Sequence, residues 1–148
     1  MQLRAYRAED WPAVCQIYDV SKPDELGGLV ELASIASLSV DEKMQSLFCE
    51  SQVVVMEDRD RVVGFCGNRQ SFITWLFVHP EFRRRGVASA LIGDMLARLS
   101  DPITLNVMAN NLAARALYEQ MGFKVEREFQ GNFQGTPCEV ARLRHTAA

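Results

Sequence analysis

Three consecutive arginines and a glycine, Arg83-Arg84-Arg85-Gly86, carry the most distinctive chemistry in this chain. They follow an apolar, strand-like stretch, Trp75 to Val78, and a break at His79-Pro80. An amphipathic run begins directly after the glycine. Cations at a helix start are electrostatically unfavourable, because the first turn already carries partial positive charge and attracts anions. Free backbone N–H groups, a conformationally free glycine and a local surplus of cations together describe a place for a phosphate. The bland alternative is a solvated basic turn, and three like charges at a helix N-terminus argue against it.

Composition narrows the anion. The 148 residues carry a net charge of −3, whereas a general nucleic-acid binder shows a basic surplus. A local basic patch on an acidic chain suits a small anionic ligand, so no nucleic-acid partner is expected. Hydrophobic and charged fractions of 48% and 24% are those of an ordinary globular protein, and the length suggests one domain over residues 1–148. Cys15, Cys49, Cys66 and Cys138 form no C-x-x-C pair and have no histidine cluster nearby, so no metal site is expected. Scattered thiols read as reduced and the location as cytoplasmic. The start, Met-Gln-Leu-Arg-Ala-Tyr, lacks the apolar core of a signal peptide. No apolar run approaches the roughly 20 residues that span a bilayer, so no membrane partner is expected.

The elements that must position the arginine turn can be read from periodicity and punctuation. Residues 2–7 alternate as a short strand. Asp10 before Trp11-Pro12 predicts an N-cap and a helix to about Val20. Residues 21–40 are punctuated by Lys22-Pro23-Asp24 and Gly27-Gly28, with weak helical character from Ala33 to Ser39, and Asp41 can cap a helix through Phe48. Gln52–Glu57 and Arg61–Gly67 flank the polar turn Asp58-Arg59-Asp60 as a hairpin, and Phe72–Val78 is a further strand. After Gly86, Val87, Leu91, Met95 and Leu99 share one helical face, ended by Asp101-Pro102. Ile103–Met108 is a strand, and Asn110-Asn111 opens a helix through Met121 with Gly122 just past its end. Phe123–Gln130 and Cys138–Arg144 are strands joined by the loop Gly131–Gly135. The order β-α-α-β-β-β-α-β-α-β-β is a mixed α/β layer.

This order and two segments resemble the GCN5-related N-acetyltransferase family. The first segment is Val78-x4-Arg83-x-x-Gly86-x-Ala88, similar to that family's acetyl-CoA signature of Gln or Arg, two residues, Gly, one residue, and Gly or Ala. The second is Leu105-x-Val107-x3-Asn111-x2-Ala114-x2-Leu117-Tyr118-x3-Gly122-Phe123. The resemblance is clear over about residues 50–144 and only general over 8–50. It implies a mostly antiparallel sheet of six to seven strands, splayed at its centre and flanked by about four helices. It also implies acetyl-CoA as co-substrate, with no metal.

Residue by residue, the resemblance places the cofactor's pyrophosphate on the backbone N–H groups of Arg84, Arg85, Gly86, Ala88 and Ser89, with Arg83 and Val87 in the same turn. It pairs the backbone of Val78 with the pantetheine amide and points the Leu76 N–H at the thioester carbonyl, with Phe77 between them. A donor so placed would stabilise the oxyanion formed when an amine attacks. Tyr118 reads from spacing as a core aromatic; the resemblance makes it the acid that protonates the departing thiolate. Asn111 can be a helix N-cap, a cofactor contact or both, and Ala114 follows it in the same segment. Asn106, a polar residue in an apolar strand, is expected to face the cleft, buried and in need of a partner.

The general base is not legible. Many family members carry a glutamate six residues before the position of Val78, and here that residue is Phe72. Glu25, Glu31, His79, a water molecule or no dedicated base stay open, with surface or capping use favoured for His79. The acceptor is a primary amine of unknown identity; residues 21–40 and the loop Gln130–Thr136 are the expected lining. The acidic balance is compatible with a cationic acceptor. The state is a monomer or homodimer. Two alternatives accompany the enzyme: a non-catalytic acetyl-CoA sensor or interaction module of the same fold, and a different phosphate-binding α/β protein. The latter lacks support, since neither G-x-x-x-x-G-K-[ST] nor G-x-G-x-x-G after a strand is present.

Overall fold

The computed structural model describes residues 1–26, 36–133 and 136–146, without the side chains of 24–26 and 133. Seven strands and four helices alternate in the order β1 (Gln2–Ala5), α1 (Trp11–Leu26), α2 (Glu42–Glu50), β2 (Gln52–Asp58), β3 (Arg61–Arg69), β4 (Phe72–Val78), α3 (Val87–Arg98), β5 (Ile103–Met108), α4 (Leu112–Gln120), β6 (Phe123–Phe133) and β7 (Thr136–His145). Short 3-10 turns at Ala8–Asp10 and Pro80–Phe82 precede α1 and α3. The element order is the one the sequence predicts.

All seven strands form one sheet in the order β1-β2-β3-β4-β5-β7-β6. Every neighbouring pair is antiparallel except β4 and β5. That parallel pair is joined only at Phe72↔Thr104 and Ile73↔Leu105, while β5 and β7 stay paired from Ile103 to Met108. The two strands therefore part after Ile73, and the sheet opens at its centre.

One core lies on each face of the sheet. The α3/α4 face is filled by Val87, Leu91, Ile92 and Met95 of α3 with Tyr118 and Phe123, as the spacing on α3 predicts. The α1/α2 face is aromatic: Tyr18 and Phe48 pack on Phe65, Trp75 and Phe77 with ring centroids 5.3–6.2 Å apart. Alternation along β4 explains the division. Trp75 and Phe77 point to the aromatic core, while Leu76 and Val78 pack against the other.

Two expectations for α1 are corrected. The helix runs six residues past Val20, to Leu26, with Pro23 inside it. Its last turn is held by tertiary contacts: Ser21 Oγ donates to the Val78 carbonyl at 3.2 Å, and Lys22 lies over the rings of Tyr18 and Phe77. Packing outweighs the local proline penalty. Asp10 does not cap α1 either. Its carboxylate is buried and faces backwards, accepting from both terminal nitrogens of Arg4 at 2.8 and 2.9 Å and from the Arg7 N–H at 2.8 Å. Arg4 also binds Glu57.

The Arg4 guanidinium, followed by the Arg7 N–H, holds the Asp10 carboxyl below the usual carboxylate range against the opposing effect of burial. A carboxyl so depressed stabilises the fold above its unfolded pKa of about 3.9, and that stability is lost as pH falls through the folded value. Asp10→Asn is therefore expected to cost about 2–4 kcal/mol at neutral pH, the scale of breaking a buried, charge-assisted pair. The deficit should shrink below about pH 4. Urea denaturation across pH checks both parts, and a variant as stable as wild type at pH 7 would remove the pair from the account.

Candidate active site

The opening between β4 and β5 is the floor of a cleft of about 610 Å³. It is bordered by the β4 segment Ile73–Val78, by Leu105–Val107 of β5, by the arginine turn and the start of α3, and by Asn111, Ala114, Leu117 and Tyr118 around α4. Ser21, Lys22 and Met44 close it from the α1/α2 face.

The register decides which backbone groups face this cleft. His79 N–H donates to the Val63 carbonyl at 2.9 Å, and Phe77 pairs with Phe65 in the same register. Alternation in an antiparallel ladder then turns the N–H and C=O groups of Leu76 and Val78 away from β3 and toward the gap. A buried sheet rarely leaves such groups without a strand to meet them. The Val78 carbonyl is engaged by Ser21; a carbonyl has a second lone pair for a further donor.

The arginine turn is shaped by backbone hand. Arg84 and Gly86 have φ of 62° and 78° in the left-handed region, while Arg83 is extended. Such alternation curls successive N–H groups toward one side as an anion-binding nest. Gly86 is the N-cap of α3, and the Ala90 N–H is the one bonded back to it, so the N–H groups of Val87, Ala88 and Ser89 precede the helical ladder. A Cβ built on Gly86 would meet nothing within 4 Å. The residues present thus fit a phosphate: converging donors, a helix N-terminus and room for close approach.

Tyr118 sits on α4, 8% exposed, with its ring edge-on to Phe123 at 5.9 Å. Asn111 caps α4 by accepting from the Ala114 N–H at 3.3 Å, and it borders the cleft as well. Arg85 is the one predicted cofactor residue absent from the cleft wall; its guanidinium lies 5.0 Å from the Phe82 ring. Asn106 borders the cleft but is exposed rather than buried. Its Oδ1 accepts from Arg142 Nε across the β5–β7 ladder at 3.2 Å, so the expected need for a buried partner does not arise.

The candidate bases part company. His79 is 9% exposed, and its Nδ1 accepts the Glu81 N–H at 3.1 Å, so it caps the turn Pro80–Phe82 and stands outside the cleft wall. Phe72 is half-buried beneath the Arg142 guanidinium. Glu31, Gly27 and Gly28, with the rest of residues 27–35 of the expected acceptor lining, lie outside the described residues, as do the Glu25 side chain, Gln134 and Gly135. Among the described residues no Asp, Glu or His lines the cleft. Sequence reasoning reached Ser21 and Lys22 only within the broad expected lining 21–40, and both stand in the cleft wall. Their signal would have been a helix continuing through Pro23.

Cys66 pairs with Leu76 in the β3–β4 register. Burial pushes its thiol far above the ordinary range, which keeps it protonated. Among the described residues no group of three or more metal-ligating side chains occurs, and no helix is long and apolar enough to cross a membrane.

Known proteins share this architecture. "Uncharacterized N-acetyltransferase YafP" of Escherichia coli K12 is 29% identical over 130 residues, covering 86% of this chain and 84% of its own. A GCN5-related N-acetyltransferase from Rhodopseudomonas palustris superposes with a TM-score of 0.82 at 19% identity, over 99% of this chain and 95% of that one. The putative acetyltransferase yncA of Salmonella typhimurium, solved with its cofactor acetyl-CoA, gives 0.75 at 16% identity over 100% and 97%. A family model described as an acetyltransferase (GNAT) domain matches residues 49–125, just over half of the chain and the whole span from β2 through α4. The chain belongs to the GCN5-related N-acetyltransferase family.

Proposed function

We propose that this protein is an acetyl-CoA-dependent N-acetyltransferase that moves the acetyl group to a primary amine by direct attack in a ternary complex. The observation that carries the reading is the parting of β4 and β5, which turns the Leu76 N–H into a cleft between the Arg83–Ser89 nest and Tyr118. The nest supplies backbone donors for the pyrophosphate, and the free edges of β4 supply partners for the pantetheine amides. When the amine nitrogen attacks, charge moves onto the thioester oxygen, where one well-placed donor is worth about 3 kcal/mol. The Leu76 N–H fills that role. Collapse breaks the carbon–sulfur bond, and Tyr118 delivers its proton to sulfur. The amine's proton passes to water or to a base outside the described residues, since among the described residues no carboxylate or imidazole lines the cleft. A covalent acetyl-cysteine route is disfavoured, because the Cys66 thiol beside Leu76 is held protonated. The acetyl-CoA held by the similar yncA fold supports the same donor.

The Phe72 position favours a second reading, a non-catalytic acetyl-CoA sensor, because no carboxylate stands there. Two measurements separate the possibilities. Acetyl-CoA should raise the melting temperature by several degrees at saturating concentration, while ATP and NAD should leave it in place, since only a ligand of the folded state shifts the midpoint. A broad amine panel with thiol detection should then show steady release of coenzyme A. Binding without release from any amine would favour the sensor, and a shift with ATP instead would overturn both.

A further inference from the structure

We propose that the open face of β5, β7 and β6 beside the cleft docks an acidic polypeptide, so that the amine acetylated belongs to a peptide or protein with carboxylates close to it. The inference rests on the transfer reading of the cleft and names the class of acceptor. It begins with strand register. On the face turned away from α3 and α4, Thr104, Arg144 and Lys124 form one row across β5, β7 and β6. Asn106, Arg142 and Arg127 form the next. Lys124 thus stands directly opposite Arg144, and Arg127 directly opposite Arg142. Like charges so placed repel, and this hairpin sets two such pairs side by side.

Protection of a sheet edge does not account for them. Charges on an edge strand discourage stray pairing, and β6 is an edge, but β7 lies between β5 and β6 and carries half of these cations. Glu128 and Glu139 fall on the opposite face, with Ala141, and there Glu128 meets Arg115 of α4 at 3.5 Å. Glu126 is the extra residue of the β6 bulge. Among the described residues, neither it nor any other carboxylate forms an ion pair with the four cations. The charge on this face is left for a partner to neutralise.

The two central guanidiniums are held ready for one. Arg127 lies 4.8 Å from the Phe129 ring centroid and Arg142 5.5 Å from that of Phe72. Stacking occupies the flat side of a guanidinium and leaves its edge donors as a fork that suits a carboxylate. Arg142 spends Nε on Asn106 Oδ1 at 3.2 Å, and its terminal nitrogens make no hydrogen bond among the described residues. Lys124, Arg127 and Arg144 are exposed, as is Asn106. The surface is also continuous with the cleft, because Asn106 forms part of the cleft wall just past the last β4–β5 pair, Ile73↔Leu105. Strands lie about 4.8 Å apart, so the cations begin about 5 Å from that wall and end about 10 Å from it. An extended chain rises about 3.3 Å per residue. With an amine in the cleft, the next few residues of its chain lie over the cations. The net charge of −3 opposes an acidic partner only at range, and charges beyond about 8–10 Å are screened at physiological salt. Four cations on an acidic chain fall short of the basic track that a nucleic acid demands.

Peptides that differ only in the three residues nearest the amine test the proposal: all glutamate, all glutamine or all lysine. One set carries the amine at the N-terminus and another on a lysine side chain, with isoamylamine as the small acceptor. The expected kcat/KM falls from glutamate to glutamine to lysine, with about tenfold between the first two at low salt, the summed worth of a few exposed ion pairs. High salt should shrink that ratio. K124E/R127E turns both rows into opposite-charge pairs, so its melting temperature should match or exceed that of wild type, while the glutamate preference should fall to about one through KM. A preference that this variant leaves intact overturns the proposal. So does a wild-type preference for glutamine or lysine, whether or not the variant folds, and so does turnover of isoamylamine with no peptide turned over. If nothing is turned over, the transfer reading has failed, and the surface is decided by fluorescence anisotropy with labelled peptides and coenzyme A-loaded protein. There, glutamate peptide binding no tighter than glutamine peptide overturns it, and a short oligothymidylate that displaces the glutamate peptide at lower concentration than unlabelled peptide does would replace the acidic chain with a nucleic acid.

Discussion

Replacing Gly86 with valine is expected to weaken acetyl-CoA binding by about 100-fold, a cost near 3 kcal/mol. Two effects add. Gly86 has φ of 78°, and a β-branched residue in that region is strained by about 1–3 kcal/mol. The protein itself has room for the side chain, since nothing lies within 4 Å of a Cβ built there. Gly86 borders the cleft at the N-terminus of α3, where, on the proposed function, phosphate oxygens would meet the N–H groups of Ala88 and Ser89. Two methyl groups would hold the anion off these donors, each worth about 1.5–3 kcal/mol when the acceptor is charged. Arg84→Ala should cost less than about tenfold, because an exposed guanidinium acts mainly through a screened field. Calorimetric titration with acetyl-CoA compares the two variants. If the arginine variant proves the weaker binder, side chains and not backbone hold the cofactor.

Tyr118→Phe is expected to lower kcat by about 100-fold, the low end of what a positioned general acid contributes. The dissociation constant for acetyl-CoA should stay close to that of wild type, because only a hydroxyl is removed. The ring keeps its edge-on packing against Phe123, so the variant should stay folded, as circular dichroism would show. Turnover equal to wild type would take the proton-donor role away from Tyr118. A proportional loss of affinity and rate would point instead to a purely structural tyrosine.

Much of this was written locally in the chain. The apolar spacing Val87, Leu91, Met95 predicts the buried face of α3, and the structure buries all three. Asn111 and Gly122 mark the ends of α4, and both take up those places, with Gly122 at φ 99°. What escaped depended on partners remote in sequence. Asp10 looks like an N-cap until Arg4 of β1 is placed beside it. Lys22-Pro23 looks like a helix end until Val78 and Phe77 supply the contacts that carry the helix onward. Asn106 looks buried until Arg142 of β7 draws its amide to the exposed side. The base left no local trace. Its usual position holds Phe72, and the described wall offers no substitute.

The two-pair seam between β4 and β5 also alters what the middle of this sheet means for amide exchange. A sheet ordinarily keeps its slowest-exchanging amides on central strands, where a neighbouring strand covers each one. Here the outward amides of Leu76 and Val78 border a cleft, so on the proposed function their protection would be set by a bound small molecule instead of a hydrogen-bonded strand. The cofactor would serve as a removable eighth strand. On that reading the most central part of the fold would also be the part whose local stability tracks the supply of acetyl donor.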